Sequence, residues 1–336
     1  MTIILPQYSG NVPTGKTSSV GTFTSGQSGG KCNKPCANCQ AYQTACIGCD
    51  DICPDNKCPA DKCLICSMPC GRHPEINNRI SEINGFEIDK EKTGKSDINF
   101  QGRFIAGINK RPKFDIDYHT VSIPFYAIYD FGKQKVICND VKDYFKLSDK
   151  TKVLINFYFK DDKILAIYDM IKSGEFWDIV RSVKGIDFWH SVNFSVYDVS
   201  SSMDVLLNFK RQFWVADMMR DKGLKVIQES IVSLSKKNIK ADYYTAIDII
   251  KRKKIDFIGI NCQLINGFND ILLGIIPFLR KLRGIPVLIS GFDIHRIDAV
   301  KAIYSNSYFM NYAAFYKSKS KSEYHKTINE VNANIK

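Results

Sequence analysis

Beyond residue 120, short apolar runs alternate with amphipathic segments, and this alternation constrains the fold more than any other feature of the chain. The runs are rich in β-branched and aromatic residues and lack polar alternation, which is typical of strands buried on both faces. They cover residues 121–129, 153–159, 186–189, 224–230, 255–261, 285–292 and 307–312, and helical patterns lie at 163–172, 203–221, 241–253, 270–283 and 294–304. The sequence predicts an α/β fold: a complete or partial (β/α) barrel-like domain, with an open doubly wound sheet as the alternative.

The helix predicted over residues 203–221 also carries signals for its two ends. A serine of the run at 200–202 can cap its start, and Gly223 follows where a left-handed C-cap is expected. Gly284 holds the same position after a later helical pattern. Both glycines are therefore predicted to end helices.

The N-terminal part of the chain has a different character, because ten of the twelve cysteines fall between residues 32 and 70. Three pairs have the spacing C-x2-C, which lets both sulfurs turn toward one metal. We predict a small cysteine-rich metal-binding module there. Its candidate ligands are Cys32, Cys36, Cys39, Cys46, Cys49, Cys53, Cys58, Cys63, Cys66 and Cys70.

Whether these cysteines bind metal or form disulfides depends on the compartment of the protein. The N-terminal sequence MTIILPQYSG lacks the features of a signal peptide, and no apolar stretch reaches the roughly 20 residues of a membrane-spanning helix. We therefore expect a cytoplasmic protein without membrane contact, whose thiols stay reduced and available to a metal. The alternative is a disulfide-rich module, which would require export.

The spacing leaves two kinds of metal open. Four thiolates satisfy one zinc ion, so ten cysteines would fill two sites with two sulfurs left over or shared. Residues 46–54 and 63–70 instead follow the C-x2-C-x3-C spacing of ferredoxin clusters, with apolar residues between the ligands. We expect an iron-sulfur cluster or zinc, at two sites.

The triplet Cys32, Cys36 and Cys39 has the spacing C-x3-C-x2-C, which resembles the signature of radical S-adenosylmethionine enzymes. The resemblance implies a [4Fe-4S] cluster with one iron open to S-adenosylmethionine, beside a partial (β/α) barrel. Asn38 stands where those enzymes usually have an aromatic residue.

Residues 192–230 and 284–292 resemble a family of bacterial and phage proteins known as domain of unknown function 4417, over roughly residues 185–315. The resemblance implies an α/β domain from a mobile element or phage and assigns no catalytic residue. Gln228 stands where the family often has a proline.

Composition divides the chain into five segments. We predict a flexible leader rich in Gly and Ser (1–31), which a protein partner could order, the cysteine-rich module (32–75), a polar joint (76–103), the barrel-like domain (104–316) and a basic tail (317–336).

Polar residues follow several predicted strands, where parallel α/β folds carry their sites. They include Asp198, Glu229, Asn261, Asp293 and His295. We expect a general acid/base site with Glu229 or Asp293 as base and His295 as proton shuttle. The alternative for Asp293 is an N-cap, with His295 on the first turn of the following helix.

The formal net charge of +12 falls almost entirely on residues 76–336. Clustered basic residues bind polyanions, whereas scattered lysines also serve solubility. Residues 307–322, aromatic and then basic, are the candidate contact with single-stranded nucleic acid. The sequence thus predicts a metal-cluster protein that acts on or binds DNA, RNA or a nucleotide. The alternative is a non-catalytic, zinc-stabilised binding or assembly protein.

Overall fold

The computed structural model describes residues 93–194, 202–230, 239–262, 275–282, 284–291 and 297–312, with Phe315, Ser318 and residues 320–335. The leader, the cysteine-rich module and residues 76–92 of the joint lie outside these residues, and what the sequence predicts for them stays a prediction.

Short strands make up the central sheet and one small hairpin. They are β1 (Phe104–Gly107), β2 (Thr120–Pro124), β3 (Tyr129–Asp130), β4 (Lys135–Val136), β5 (Lys152–Asn156), β6 (Phe188–His190), β7 (Val226–Glu229), β8 (Ile258–Asn261), β9 (Val287–Ser290) and β10 (Ser307–Asn311). Strands β3 and β4 pair antiparallel as a two-stranded sheet.

The remaining eight strands form a closed parallel barrel in the order β1-β10-β9-β8-β7-β6-β5-β2. Strand β1 closes it, because Phe104 lies opposite Phe309 of β10 and Ala106 lies opposite Val121 of β2. Closure leaves none of these eight strands with an unpaired edge, so the backbone groups of the buried strands find partners. The predicted barrel is confirmed in its complete form.

Helices of various lengths connect and cover the strands. They are α1 (Val141–Tyr144), α2 (Asp161–Ser173), α3 (Glu175–Ser182), α4 (Ser202–Asp221), α5 (Ile239–Arg252), α6 (Ile276–Leu282), α7 (Ile297–Ile303) and α8 (Lys321–Ile335). A 3-10 turn, Phe125–Ala127, follows β2. None of the described helices combines the length and the apolar character that crossing a bilayer requires.

Both glycines predicted to end helices do so. Gly223 after α4 has φ +79° and Gly284 after α6 has φ +89°, in the left-handed region that glycine adopts without strain. Strand β1 was not predicted, because its four residues FIAG include alanine and glycine, which are depleted in strands.

Helix α8 lies within the segment that the sequence analysis assigned to a basic tail, where it predicted no helix. Tyr324, Ile328 and Val331 recur at helical spacing and are buried. Tyr118 and Asn332 side chains are within hydrogen-bond distance, 3.3 Å from Nδ2 to Oη. The lysines of this segment predict an exposed tail. The helix forms because Tyr324, Ile328 and Val331 lie on one face and are buried.

Aromatic and aliphatic side chains fill the barrel from its N-terminal end upward. Phe100, just before β1, packs edge-on against Phe188, Phe257 and Tyr308 with ring centroids 5.2, 5.4 and 5.5 Å apart. The layer above consists of Ile105, Leu154, Ile227, Leu288 and Met310. This end of the barrel is a closed apolar core.

The described residues belong to two compact units, and the barrel lies in the unit formed by residues 91–193, 215–230 and 250–336. The other unit includes residues 194–214 and 231–249. Within it, the rings of Phe209 and Phe213 lie 5.1 Å apart, and the Arg211 guanidinium lies 5.9 Å from the centroid of Phe194.

Candidate active site

Polar side chains replace the apolar layers where the barrel strands end. Because parallel strands end at one edge, residues far apart in sequence meet in this layer. Its buried members are Ser122 on β2, Asn156 on β5, His190 on β6, Glu229 on β7 and Ser290 on β9. A core of this size normally excludes such groups, so the layer is the candidate functional site.

Tyr158, His190 and Glu229 form the centre of this layer. The Tyr158 hydroxyl lies 2.9 Å from His190 Nε2 and 2.9 Å from Glu229 Oε2. The distance between His190 Nε2 and Glu229 Oε2 is 3.2 Å. Each of the three polar atoms is therefore within hydrogen-bond distance of the other two, and we call this set the acid/base cluster.

Backbone groups hold the cluster in place. The Asn261 N–H donates to Glu229 Oε1 over 3.0 Å, and the Glu229 N–H donates to Ser191 Oγ over 2.7 Å. His190 Nδ1 lies 3.2 Å from the Ser191 carbonyl oxygen. Since a carbonyl can only accept, this contact places the imidazole proton on Nδ1 and leaves Nε2 with a lone pair facing the cluster.

Gly259 on β8 makes room for the imidazole. A Cβ at this position would lie 2.1 Å from His190 Nε2, 2.3 Å from His190 Cε1 and 2.8 Å from Glu229 Oε2. Real Cβ atoms do not approach other atoms so closely. Glycine is thus required here for space, and its backbone takes the place of a side chain in this part of the barrel.

Burial changes the protonation of all three members. It raises the pKa of the Glu229 carboxyl to about 8, against the opposing effect of the hydrogen bonds from Tyr158 and the Asn261 backbone. It lowers the pKa of His190 to about 4, against the opposing hydrogen bond to Ser191. It also raises the pKa of Tyr158 well above its ordinary range, and the nearby Glu229 charge adds to this. The cluster favours neutral groups near pH 7.

A second set of hydrogen bonds supports Tyr158 from below. The Asn156 side-chain nitrogen donates to Ser122 Oγ and to the Tyr312 hydroxyl, each over 2.8 Å, and Asn156 Oδ1 accepts from the Tyr158 N–H over 3.2 Å. One buried amide therefore joins β2, β5 and the residue after β10. This bridge limits the movement of the backbone that carries the Tyr158 hydroxyl.

Cys262 follows β8 and is buried without a disulfide. Burial raises the pKa of its thiol above the ordinary range, and the Glu229 charge adds to the effect. A thiol that stays protonated is a poor nucleophile. Cys262 therefore serves as a small buried packing residue.

The structure places one of the three predicted catalytic residues, Glu229, in the cluster. Asn261 joins it through its backbone N–H. Gln228 lies outside the cluster, because its Oε1 accepts from Arg220 over 3.3 Å. Asp293 and His295 lie outside the described residues, and their roles as base and shuttle stay predictions.

All ten predicted metal ligands, from Cys32 to Cys70, also lie outside the described residues. Within the part of the chain that the structure describes, His, Cys, Asp and Glu side chains do not come together in a group of three or more that could hold a metal ion.

Sequence reasoning did not select Tyr158 or His190. Tyr158 falls within the predicted strand run 153–159, and His190 directly follows the predicted run 186–189. The signal that could have found His190 is its position at the end of a predicted strand, two residues after Phe188 and therefore on the same face. Tyr158 lies beyond the observed end of β5, so the alternation of side chains along a strand does not predict which face it occupies.

The prediction that residues 307–322 form a surface contact with nucleic acid is wrong for Tyr308, Phe309 and Met310, and it stays a prediction for the basic residues that follow. Ser307–Asn311 is β10, and Tyr308, Phe309 and Met310 are buried in the barrel. An apolar run rich in aromatic residues is compatible both with an exposed surface that stacks on bases and with a buried strand, so the sequence pattern does not distinguish the two. Buried rings cannot stack on bases.

A different group of aromatic rings is partly exposed at the edge where the strands end. Tyr126 follows β2, Phe159 follows β5, and Phe131 lies in the turn between β3 and β4. The Phe159 ring centroid lies 5.7 Å from that of Tyr126 and 6.1 Å from that of Phe131. Lys163 Nζ lies 5.7 Å from the Tyr126 centroid and 5.5 Å from the Phe131 centroid. We call these four residues the aromatic rim.

The fold and the polar layer together define a closed parallel α/β-barrel protein, of the TIM-barrel type, with a buried acid/base cluster at the C-terminal ends of its strands.

Comparison with known protein families found no match, and no curated protein matches the sequence. Among solved structures, orotidine 5'-monophosphate decarboxylase from Methanocaldococcus jannaschii in complex with the inhibitor BMP is similar, with 14% identity and a TM-score of 0.40. The alignment covers 69% of this chain and 98% of the decarboxylase. A second structure of that enzyme has 13% identity and a TM-score of 0.37, covering 68% and 100% of the two chains. At this level of likeness, nothing about the substrate or chemistry of the decarboxylase carries over.

Proposed function

We propose that this protein is a barrel enzyme that uses Tyr158, His190 and Glu229 as its acid/base group. The observation that carries the proposal is a carboxyl, an imidazole and a phenol within 3.2 Å of one another, buried where the barrel strands end. Active sites of parallel barrels lie at this edge, and burial raises the pKa of the Glu229 carboxyl to about 8, near the range that proton transfer at neutral pH requires.

A purely structural role explains these residues less well. An apolar side chain in place of Glu229 would fill the barrel without any desolvation of a carboxyl, and buried polar clusters are often no more stable than apolar replacements. The space at Gly259, the backbone donor at Asn261 and the bridge at Asn156 are all needed to accommodate the cluster. Three features of the barrel are thus arranged around one destabilising carboxyl group. This favours a functional role for Glu229 over a structural one.

For the substrate class, the aromatic rim and the charge of the chain support a nucleotide or nucleic acid. Partly exposed rings beside Lys163 offer a face for a base and a cation for a phosphate. Phe159 of the rim is adjacent in sequence to Tyr158 of the cluster. The rim and the cluster therefore share the segment that follows β5.

The cysteine-rich segment supports a metal cluster as the second part of the proposed enzyme. A set of ten thiols is stable only in a reducing compartment, which favours the cytoplasm. An iron-sulfur cluster would supply one-electron chemistry, and zinc would supply structure.

The first experiment purifies the whole chain without oxygen and quantifies iron, sulfide and zinc. The protein is then incubated with nucleoside phosphates and short oligonucleotides, with and without S-adenosylmethionine, and products are identified by mass spectrometry. We expect conversion of one nucleotide-containing substrate and a loss of about 100-fold or more in Glu229→Gln, as for removal of a general acid or base.

Glu330→Gln is the matched control, because Glu330 is an exposed carboxylate on α8. Its rate should equal that of the wild type. Equal rates in Glu229→Gln and the wild type would refute the acid/base role of the cluster.

A further inference from the structure

The three atoms of the acid/base cluster require a definite number of protons. Tyr158 Oη brings one proton to share, Glu229 Oε2 as a carboxylate brings none, and His190 Nε2 brings none because the ring proton is on Nδ1. The triangle has three short edges, of 2.9, 2.9 and 3.2 Å. With the tyrosine proton alone, one edge is bonded and the others bring acceptors together.

That arrangement is unfavourable in a buried site. If Tyr158 donates to Glu229, the lone pair of His190 Nε2 faces both the Tyr158 oxygen and a negative Glu229 oxygen. One additional proton on Glu229 Oε2 or on His190 Nε2 supplies one of the two missing bonds. With Glu229 protonated, its O–H donates to the Tyr158 oxygen and the Tyr158 O–H donates to His190 Nε2, so two of the three edges are bonded. A proton on Glu229 leaves the whole cluster neutral, whereas a proton on His190 creates two buried charges.

We infer that Glu229 holds this additional proton at neutral pH and that the cluster acts first as a general acid, on a substrate group that carries or develops negative charge. This rests on the proposed function of the cluster and adds to it the direction of proton transfer and the class of group that receives the proton.

Tyr158 is the member of the cluster with the largest exposed fraction, 8%, whereas His190 and Glu229 are 0% and 1% exposed. We therefore assign Tyr158 as the member that meets the substrate. It is a relay between the acid and the substrate.

The step balances without any other reactant. The O–H bond of Tyr158 breaks as its proton bonds to the anionic substrate atom, and the Glu229 O–H bond breaks as its proton passes to the Tyr158 oxygen. The products are a protonated substrate, a neutral Tyr158 and a Glu229 carboxylate. The carboxylate keeps two donors, the Asn261 N–H and the Tyr158 hydroxyl. Water returns the proton to Glu229 after product release.

The other ionisable groups near Glu229 agree with this assignment. The described residues bring Tyr158 from the end of β5, His190 from β6 and Cys262 from the end of β8 close to the carboxyl. All three are neutral in the proposed state. The pKa of Glu229, raised by burial to about 8, and that of His190, lowered to about 4, place the proton on the same residue.

Infrared spectroscopy of the whole chain tests the assignment directly. A buried protonated carboxyl absorbs separately from a carboxylate, so the difference between spectra at about pH 6 and about pH 10 should contain a carboxylic acid band that is lost at the higher pH. The band should be missing in Glu229→Gln and present in Glu330→Gln. An identical carboxylic acid region at the two pH values would overturn the inference.

Nitrogen-15 spectra of histidine-labelled wild-type protein provide a second measurement that needs no variant. His190 should give the neutral form with its proton on Nδ1 between about pH 6 and about pH 8. A charged His190 ring at neutral pH would place the proton on the imidazole and overturn the assignment to Glu229.

Tyr158→Phe separates the relay from the proton store. The variant should keep the carboxylic acid band and lose about 10-fold or more of the turnover, since proton transfer by a positioned group is worth that much. Unchanged turnover would refute the relay. The carboxylic acid band in a protein without turnover would confirm the stored proton and contradict the proposed function, whereas turnover without the band would contradict the inference alone.

Discussion

At the scale of single residues, the cluster shows how a barrel core tolerates ionisable groups. The core tolerates Glu229 because its carboxyl group is protonated and therefore neutral. Burial raises the pKa of this group to about 8, whereas an unfolded glutamate titrates near 4.5. The Asn261 N–H then donates to one carboxyl oxygen, and the other shares a hydrogen bond with the Tyr158 hydroxyl. The result is a core that stays well packed only while it keeps its proton.

This leads to a prediction about stability and pH. Between the two pKa values the native state binds more protons than the unfolded state, so the free energy of unfolding should fall as pH rises from about 5 to about 8. His190, whose pKa is lowered to about 4, gives the opposite slope below about 6.5, so the net decline should appear from about 6.5 to 8.

Glu229→Gln keeps the shape and the neutral charge of the protonated side chain. Its free energy of unfolding in urea should lack this decline and should exceed that of the wild type at about pH 8 by roughly 1–3 kcal/mol. Parallel curves for the two proteins would show that Glu229 does not titrate in this range.

A second prediction at the scale of single residues concerns the space that Gly259 leaves for His190. In Gly259→Ala the new Cβ must displace the His190 ring, because it would lie 2.1 Å from Nε2. We expect a loss of about 1–3 kcal/mol in urea unfolding and a change in the His190 nitrogen-15 signal. Gly132→Ala is the control, since its Cβ would meet only Asp130 Oδ1 at 3.4 Å. Equal effects in the two variants would contradict the steric requirement at Gly259.

At the scale of the elements, a buried ion pair joins the end of α4 to the turn before β8. Lys253 Nζ lies 2.7 Å from Asp217 Oδ2, and Arg220 Nη1 lies 3.4 Å from Asp217 Oδ1. Arg220 also donates to Gln228 on β7, and the Lys253 carbonyl accepts from the Gly94 N–H. The connection joins α4, β7, the turn before β8 and the segment before β1.

Lys253→Met should therefore destabilise the fold strongly. It removes the shorter ion pair of the buried Asp217 and leaves the longer Arg220 contact in place, and we expect a loss of about 2–4 kcal/mol in urea unfolding. Lys152→Met is the matched control, because the Lys152–Asp187 pair is 2.8 Å long but lies at the surface and should contribute less than about 1 kcal/mol. Similar losses in both variants would contradict the importance of burial.

At the scale of the whole molecule, the barrel unit contains its complete apolar core in residues after 93. Phe100 closes the N-terminal end, and the layers above it come from the strands themselves. The predicted metal ligands, from Cys32 to Cys70, precede these core residues in the sequence. The metal site and the barrel should therefore respond to mutation independently.

Cys49→Ser or Cys66→Ser should lower the metal content of the purified chain while the barrel stays folded, because the metal stabilises only its own ligands. Metal analysis and the cooperativity of thermal unfolding measure the two effects. An unchanged metal content in both variants would refute the ligand assignment. Loss of the cooperative transition would show that the barrel depends on the module.

The sequence by itself determined the elements of the barrel. Mainly apolar runs without polar alternation, such as 153–159 and 255–261, are typical of strands buried on both faces. Glycines such as Gly223 can follow a helix in the left-handed conformation, which strains other residues. These properties depend on neighbours along the chain. Glu229 was found for the same reason, because it ends a predicted strand.

Only the tertiary structure decided that β1 closes the sheet and that Tyr158 and His190 meet Glu229. A four-residue strand with weak propensity forms because two open edges, β2 and β10, accept it. His190 and Glu229 are 39 positions apart in the chain, and the space between them comes from a missing side chain at Gly259 on a third strand. Contacts of this kind follow from the curvature of a closed barrel, which no local pattern of residues encodes.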